Sequence, residues 1–217
     1  SNLSKEQIIN QAFKFHSQGN FLESAKYYQD FINQGFKDHR VFSNYGVLLK
    51  DLGNLQDAEL SYRKAIEIKP DYADAHYNLG NILNDLGKLQ EAELSYRKAI
   101  EIKPNFAEAH FNLGIILQDL GNLKEAEVSQ RKAIQLKPDY GEAYNNLGNA
   151  QRKLRKFNEA IESYKKTIEF KPDYVETYNS LGNTQRELGK FNEAIKNYNK
   201  AIELKPKSIE PYYNKGH

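Results

Sequence analysis

The apolar and polar positions of this chain follow two nested periods. Over short stretches the apolar residues recur at helical spacing. Ala75, Leu79, Ile82 and Leu86, with Gly80 and Leu83 beside them, lay one stripe along a helix. Gly87 suits the left-handed position that would end it. Ala92, Tyr96, Ala99 and Ile100 form a second stripe, which predicts a second helix stopped by Pro104. This pair of stripes returns every 34 residues, and Pro70, Pro104, Pro138, Pro172 and Pro206 keep the interval. A period of that length is too long for a heptad. It marks a repeat array, in which each repeat is one helix pair that cannot bury its apolar face alone. The chain is therefore expected to be all-α, with about thirteen helices stacked in antiparallel pairs.

Counted from His39, the repeats are 39–72, 73–106, 107–140, 141–174 and 175–208. A divergent repeat fits 5–38, with Ala12, Gly19, Phe21, Ser24 and Tyr28 in register, and 209–217 begins a further truncated repeat or cap helix, so one array is read over 1–217. The eighth residue is Gly46, Gly80, Gly114, Gly148 and Gly182; the twentieth is Ala58, Ala92, Ala126, Ala160 and Ala194. Residues this small let the two helices of a pair approach closely, and a large side chain there should overpack. ELSYRKAIEIKP occurs unchanged at 59–70 and 93–104, a sign of recent duplication. Three residues break the pattern: Arg155 stands where other repeats have Gly, Gln130 where they have Tyr, and Thr167 where they have Ala. Repeats 107–140 and 141–174 are accordingly expected to form the softest junction. Asn105 with Glu108, Asp139 with Glu142, Asp173 with Glu176 and, more weakly, Asp71 with Asp74 have the spacing of capping boxes.

Strings such as AHYNLGNILNDLGKLQEAELSYRKAIEIKP resemble tetratricopeptide repeats, and the resemblance covers nearly the whole chain. It implies a right-handed superhelical solenoid, with the first helix of each repeat lining the concave side. On those helices the second, sixth, ninth and thirteenth places share the face opposite the apolar stripe. The sixth place holds Asn44, Asn78, Asn112, Asn146, then Ser180 and again Asn214; the ninth holds Asn81, Asn149 and Asn183, with Val47 and Ile115 in the other repeats. Asn is a mediocre helix former, so its recurrence in mid-helix asks for a reason. An amide offers both a donor and an acceptor, which suits an extended peptide backbone of any sequence. The ladder is similar to the one lining the tetratricopeptide superhelix of O-linked N-acetylglucosamine transferase, where asparagines hold substrate main chain. Duplication alone would also copy an exposed Asn, and that alternative stays open here.

Further candidates flank the ladder. Tyr77, Phe111 and Tyr213 occupy the fifth place and offer aromatic faces either to a ligand or to adjacent helices. Lys50, Arg152 and Arg186 hold the twelfth place, with Lys153 and Glu187 next; Arg152, Lys153 and Arg186 make the C-terminal part of the groove the better place for an acidic ligand or a terminal carboxylate, while for each residue taken alone a solvated helical face is the leading alternative. His76 and His110 share the fourth place with Phe42, Tyr144 and Tyr178, a pattern of packing rather than of metal binding.

Composition narrows the function classes. A net charge of +2 gives no case for nucleic acid or membrane as obligatory partner, and no stretch is apolar enough for a membrane span. Cys is absent, which removes disulfides, thiolate zinc sites and a cysteine nucleophile and fits a cytoplasmic location. No HExxH, GxxxxGK[ST] or GxSxG string occurs, so neither an enzyme nor a metal or cofactor site is expected. The lack of Met, the opening Ser-Asn and the ending PYYNKGH predict a fragment of a longer chain, in which Tyr212 and Tyr213 seek cover through self-association.

The function expected is a non-catalytic interaction scaffold that binds an extended peptide or a protein segment. The alternative is the substrate-presenting region of a larger enzyme, such as a glycosyltransferase or other transferase. A chaperone-type carboxylate clamp fits poorly, because its Lys–Asn–Asn–Lys–Arg set is not reproduced across three consecutive repeats. The mixed signs of the groove argue against RNA.

Overall fold

Helix pairs do form in each repeat from 5–38 to 175–208, as far as the described residues reach. The computed structural model describes residues 3–205, and among these are twelve α-helices with no strand. The expected thirteenth helix would fall on 209–217, outside the described residues. The chain divides into two compact halves, 1–104 and 105–217.

The N-terminal half holds α1 (Lys5–Ser17), α2 (Phe21–Asn33), α3 (His39–Asp51), α4 (Leu55–Ile68), α5 (Ala73–Asp85) and α6 (Leu89–Ile102). Its contacts are densest within the pairs α1–α2, α3–α4 and α5–α6, and successive pairs meet through α2–α3 and α4–α5. Ile8, Ile9, Tyr28, Phe31, Val41, Leu48 and Ala65 form one buried cluster there. The C-terminal half holds α7 (Ala107–Asp119), α8 (Leu123–Leu136), α9 (Gly141–Lys153), α10 (Phe157–Phe170), α11 (Val175–Glu187) and α12 (Phe191–Leu204), paired in the same way. The first helices also touch one another, α7 with α9 and α9 with α11. This core is more polar. Asn145, Gln151, Thr167, Thr177, Asn179, Thr184 and Gln185 are all buried.

Two details explain the pairing. A Cβ added at Gly80 would lie 2.6 Å from Cε1 of Tyr96, and one at Gly148 would lie 2.6 Å from Cε1 of Tyr164. The eighth-place glycine is thus the seat of the twenty-fourth-place tyrosine ring. At the turn between the helices, Gly87 has φ 73°. Its N–H donates to Asn84 O (2.9 Å) and the Lys88 N–H donates to Leu83 O (2.8 Å), closing the first helix. Arg155 keeps the same turn at φ 62°, with its guanidinium 5.0 Å from the Phe157 ring centroid.

The expected capping boxes do not form. α5, α7, α9 and α11 start one residue later, and Tyr72, Phe106, Tyr140 and Tyr174 stand at their N-cap positions with no side-chain cap bond. Packing wins over capping at these sites. Tyr72 meets His39 edge-on with centroids 5.1 Å apart, Tyr140 packs on Phe111 at 4.7 Å, and the Lys137 ammonium lies 4.7 Å over the Tyr140 ring. Released from capping, Glu142 pairs with Lys171. Side-chain caps occur elsewhere, as at Ser4, which forms a full capping box with Gln7.

Candidate functional site

The sixth- and ninth-place residues are three apart on each first helix, one turn of the same face. In the N-terminal half, Asn44 lies on α3, and Asn78 and Asn81 lie on α5; all three are half-buried. In the C-terminal half, Asn112 lies on α7, Asn146 and Asn149 on α9, and Ser180 and Asn183 on α11, again half-buried. Asn214 and Tyr213 lie outside the described residues, as does Tyr212.

The two rows of amides differ in kind. The Tyr96 hydroxyl donates to Asn81 Oδ1 at 2.8 Å, Tyr164 to Asn149 Oδ1 at 2.9 Å, and Tyr198 to Asn183 Oδ1 at 2.8 Å. Each ninth-place amide is therefore tied by its oxygen to the tyrosine seated on the glycine one residue before it. No such tie was read from the sequence, although a signal is present: every repeat with Asn at the ninth place has Tyr at the twenty-fourth. Where the ninth place is Ile115, the partner position is Gln130, whose Nε2 donates instead to Phe111 O at 3.0 Å. Burial pushes the Tyr164 phenol up to about 12 against the opposing effect of Arg152, and burial also raises Tyr198. Both hydroxyls thus keep their protons at neutral pH.

The fifth-place aromatics are part of the framework. Tyr77 is tilted against Tyr96 at 6.0 Å, and Phe111 packs on Tyr140. Both rings remain half-exposed. On α9, Arg152 Nη1 donates to Glu187 Oε1 of α11 at 3.1 Å, while its Nε is buried without a hydrogen-bond partner. Arg186 is half-buried one turn after Asn183, and Lys153 is exposed. His76 Nε2 lies 2.9 Å from Pro70 O, and Tyr178, at the same place in its own repeat, donates to Pro172 O at 2.8 Å. At these two fourth places the side chain meets the carbonyl of the inter-repeat proline. Among the described residues no group of His, Cys, Asp and Glu could hold a metal ion, and no helix is long and apolar enough to cross a membrane.

A family profile described as TPR repeat matches residues 46–83, 80–121 and 183–217, and tetratricopeptide repeat profiles match 107–140, 141–174 and 163–196. The chain belongs to the tetratricopeptide repeat family. Proteins of this family are interaction scaffolds, generally without catalytic activity of their own, and they bind peptide or protein partners. Among solved structures, MamA is 29% identical over 75% of this chain and 95% of its own, with a TM-score of 0.72. YrrB, described as a tetratricopeptide protein with an unusual peptide-binding site, is 23% identical over 89% of this chain and 100% of its own, at 0.78. PilF of Pseudomonas aeruginosa, at 15% identity, covers 98% of this chain and 96% of its own at 0.80, a likeness of fold alone. No curated protein matches the sequence.

Proposed function

We propose that this tetratricopeptide array binds an extended peptide or protein segment along its first-helix face, using the sixth-place asparagines to grip main chain. The observation that carries this reading is their setting. Asn44 and Asn78 in the N-terminal half, and Asn112 and Asn146 in the C-terminal half, hold the same place on the first helix of their own repeats, and each is half-buried. Such amides donate and accept at once. The energetics set the affinity class. Each amide–main-chain bond contributes about 1 kcal/mol net, and ordering a flexible peptide costs about 2–5 kcal/mol. The hydrogen bonds therefore need help from neighbouring charged and apolar side chains, and micromolar binding is expected rather than nanomolar.

The test uses a decapeptide library, with calorimetric titration of the best binder. Asn112→Ala together with Asn146→Ala should leave melting nearly unchanged, because Ala is the better helix former. Affinity should fall by about 2 kcal/mol, two bonds at about 1 kcal/mol each. The loss should be similar for peptides of different sequence. Unchanged affinity would refute the ladder.

A further inference from the structure

The C-terminal half carries more than a sequence-blind grip. Asn149 and Arg152 are one helical turn apart on α9, and Asn183 and Arg186 repeat that arrangement on α11. Tyr164 and Tyr198 give their hydroxyl protons to Asn149 Oδ1 and Asn183 Oδ1. Against the upward push of burial, the arginine of each repeat acts on that repeat's tyrosine, Arg152 on Tyr164 and Arg186 on Tyr198, in both cases favouring the charged form of the phenol. An amide oxygen only accepts, so the phenolic O–H is the donor in both bonds. This fixes the direction of the hydrogen bond and with it the orientation of the amide. One of the two lone pairs of Asn149 Oδ1 and of Asn183 Oδ1 is thereby engaged, while the Nδ2 donors remain. Among the described residues neither Nδ2 group has a hydrogen-bond partner, and Arg186 has neither a side-chain hydrogen bond nor an ion pair. Arg152 is different, because Glu187 of the neighbouring helix already occupies it at 3.1 Å.

We propose that Asn149, Arg152, Asn183 and Arg186 form a donor-rich strip that selects acidic peptide segments, with Tyr164 and Tyr198 as positioning residues and Glu187 as the resident carboxylate a ligand displaces. The inference rests on the peptide-binding reading above and adds a ligand chemistry to it. A surplus of donors suits side-chain carboxylates and backbone carbonyls together. They penalise a segment that brings Lys or Arg to this stretch. The Arg152–Glu187 pair is an internal competitor: both side chains are about one-third exposed (33% and 34%), so the pair is weak enough to exchange for a ligand carboxylate.

The test titrates the full chain with fluorescein-labelled decapeptides of Ala and Gly that carry two glutamates at varied separation, each against its glutamine twin, at low and high salt. The best glutamate peptide should bind about tenfold more tightly than its twin, and the preference should shrink at high salt. Glu187→Gln should raise affinity for the glutamate peptide by about twofold to fivefold, the value of one released surface pair, and leave the twin unaffected. Tyr164→Phe with Tyr198→Phe keeps both rings on their glycines and should weaken the glutamate peptide about tenfold, through loss of two orienting hydrogen bonds. Adding Asn149→Ala and Asn183→Ala to that variant should then cost little more, because the tyrosines act through these amides. Fully additive losses would overturn the positioning role. Equal binding of glutamate and glutamine peptides, or an inert Glu187→Gln, would overturn the selectivity while peptide binding itself stands. Binding of neither peptide would overturn both readings.

Discussion

At Arg155 a single backbone angle carries a measurable cost. A non-glycine residue in the left-handed region costs roughly 1–2 kcal/mol, and Arg155 sits at φ 62° where Gly87, Gly121 and Gly189 hold the same turn in their repeats. Its stacking on Phe157 returns about 0.5 kcal/mol for a cation over an exposed ring. Arg155→Gly should therefore raise stability by about 0.5–1.5 kcal/mol. Arg155→Ala should lower it, since Ala keeps the strain and loses the stack. Thermal melting of the two variants checks the sign of each, and a destabilised glycine variant would show that the strain is absent. Gln130 presents a related case. Its Oε1 is buried without a partner, and the ninth-place residue above it is Ile115. Gln130→Tyr combined with Ile115→Asn should rebuild the tie seen at Tyr96 and Asn81. The double variant should exceed the sum of the single ones by about 1 kcal/mol, the net value of one hydrogen bond.

Between elements, buried glutamates clamp successive helix pairs. Glu59 of α4 accepts from Arg63 Nε at 2.9 Å and from Lys88 Nζ, just before α6, at 2.8 Å. In the C-terminal half, Glu127 of α8 is paired with Arg131 and with Lys156, just before α10, each at 2.8 Å. Burial alone would push both carboxyls up. The hydrogen bonds and charges of their basic partners overcome this, and both pKa values lie below the ordinary glutamate value. A carboxyl whose pKa is depressed on folding contributes stability that is full above its unfolded pKa and is lost as pH falls through the folded one. Melting temperature should therefore be flat near neutrality and fall below the ordinary glutamate range. Glu59→Gln with Glu127→Gln should flatten that acid limb and cost about 1–2 kcal/mol per site at pH 7. An unaltered acid limb in the double variant would refute the clamps.

These clamps show what the sequence could convey at this scale. Helix existence, pairing and the eighth-place contact were legible because each depends on spacing along one chain. The clamp partners are 29 residues apart, Glu59 to Lys88 and Glu127 to Lys156, and only folding brings them together. The capping boxes failed for the complementary reason. Asp139 and Glu142 have the right local spacing, but the contact of Tyr140 with Phe111 lies in tertiary space and sets where α9 begins. Likewise periodicity alone puts the sixth- and ninth-place residues on the same side of each first helix, whereas the tie of each ninth-place amide to a tyrosine 15 residues on needs the folded pair.

For the molecule as a whole, stability in a repeat array is close to a sum of repeat and nearest-neighbour terms, so different stretches can open separately. The two halves have different cores. Ile82 and Leu83 are buried on α5, and Leu48 and Leu49 on α3; the corresponding places on α9 and α11 hold Ala150, Gln151, Thr184 and Gln185. Many of these polar groups are satisfied, as in the bond from Thr177 Oγ1 to Asn145 Oδ1 at 2.8 Å and that from Asn197 Nδ2 to Gln185 Oε1 at 2.7 Å. Asn179 Oδ1 and Arg152 Nε are not, and each buried unsatisfied group costs about 1–3 kcal/mol. Opening the repeats 141–174 and 175–208 releases those groups to water, whereas opening α3–α6 exposes aliphatic surface. Native-state hydrogen exchange should therefore show α9–α12 opening at lower free energy than α3–α6, by about 1–3 kcal/mol. Acidic peptide bound along α9 and α11 should narrow that gap, since a ligand that prefers the closed form stabilises it in proportion to its occupancy. Exchange in α9–α12 as slow as in α3–α6 without peptide would show that the polar core is fully satisfied, and the soft stretch would then have to lie elsewhere along the array.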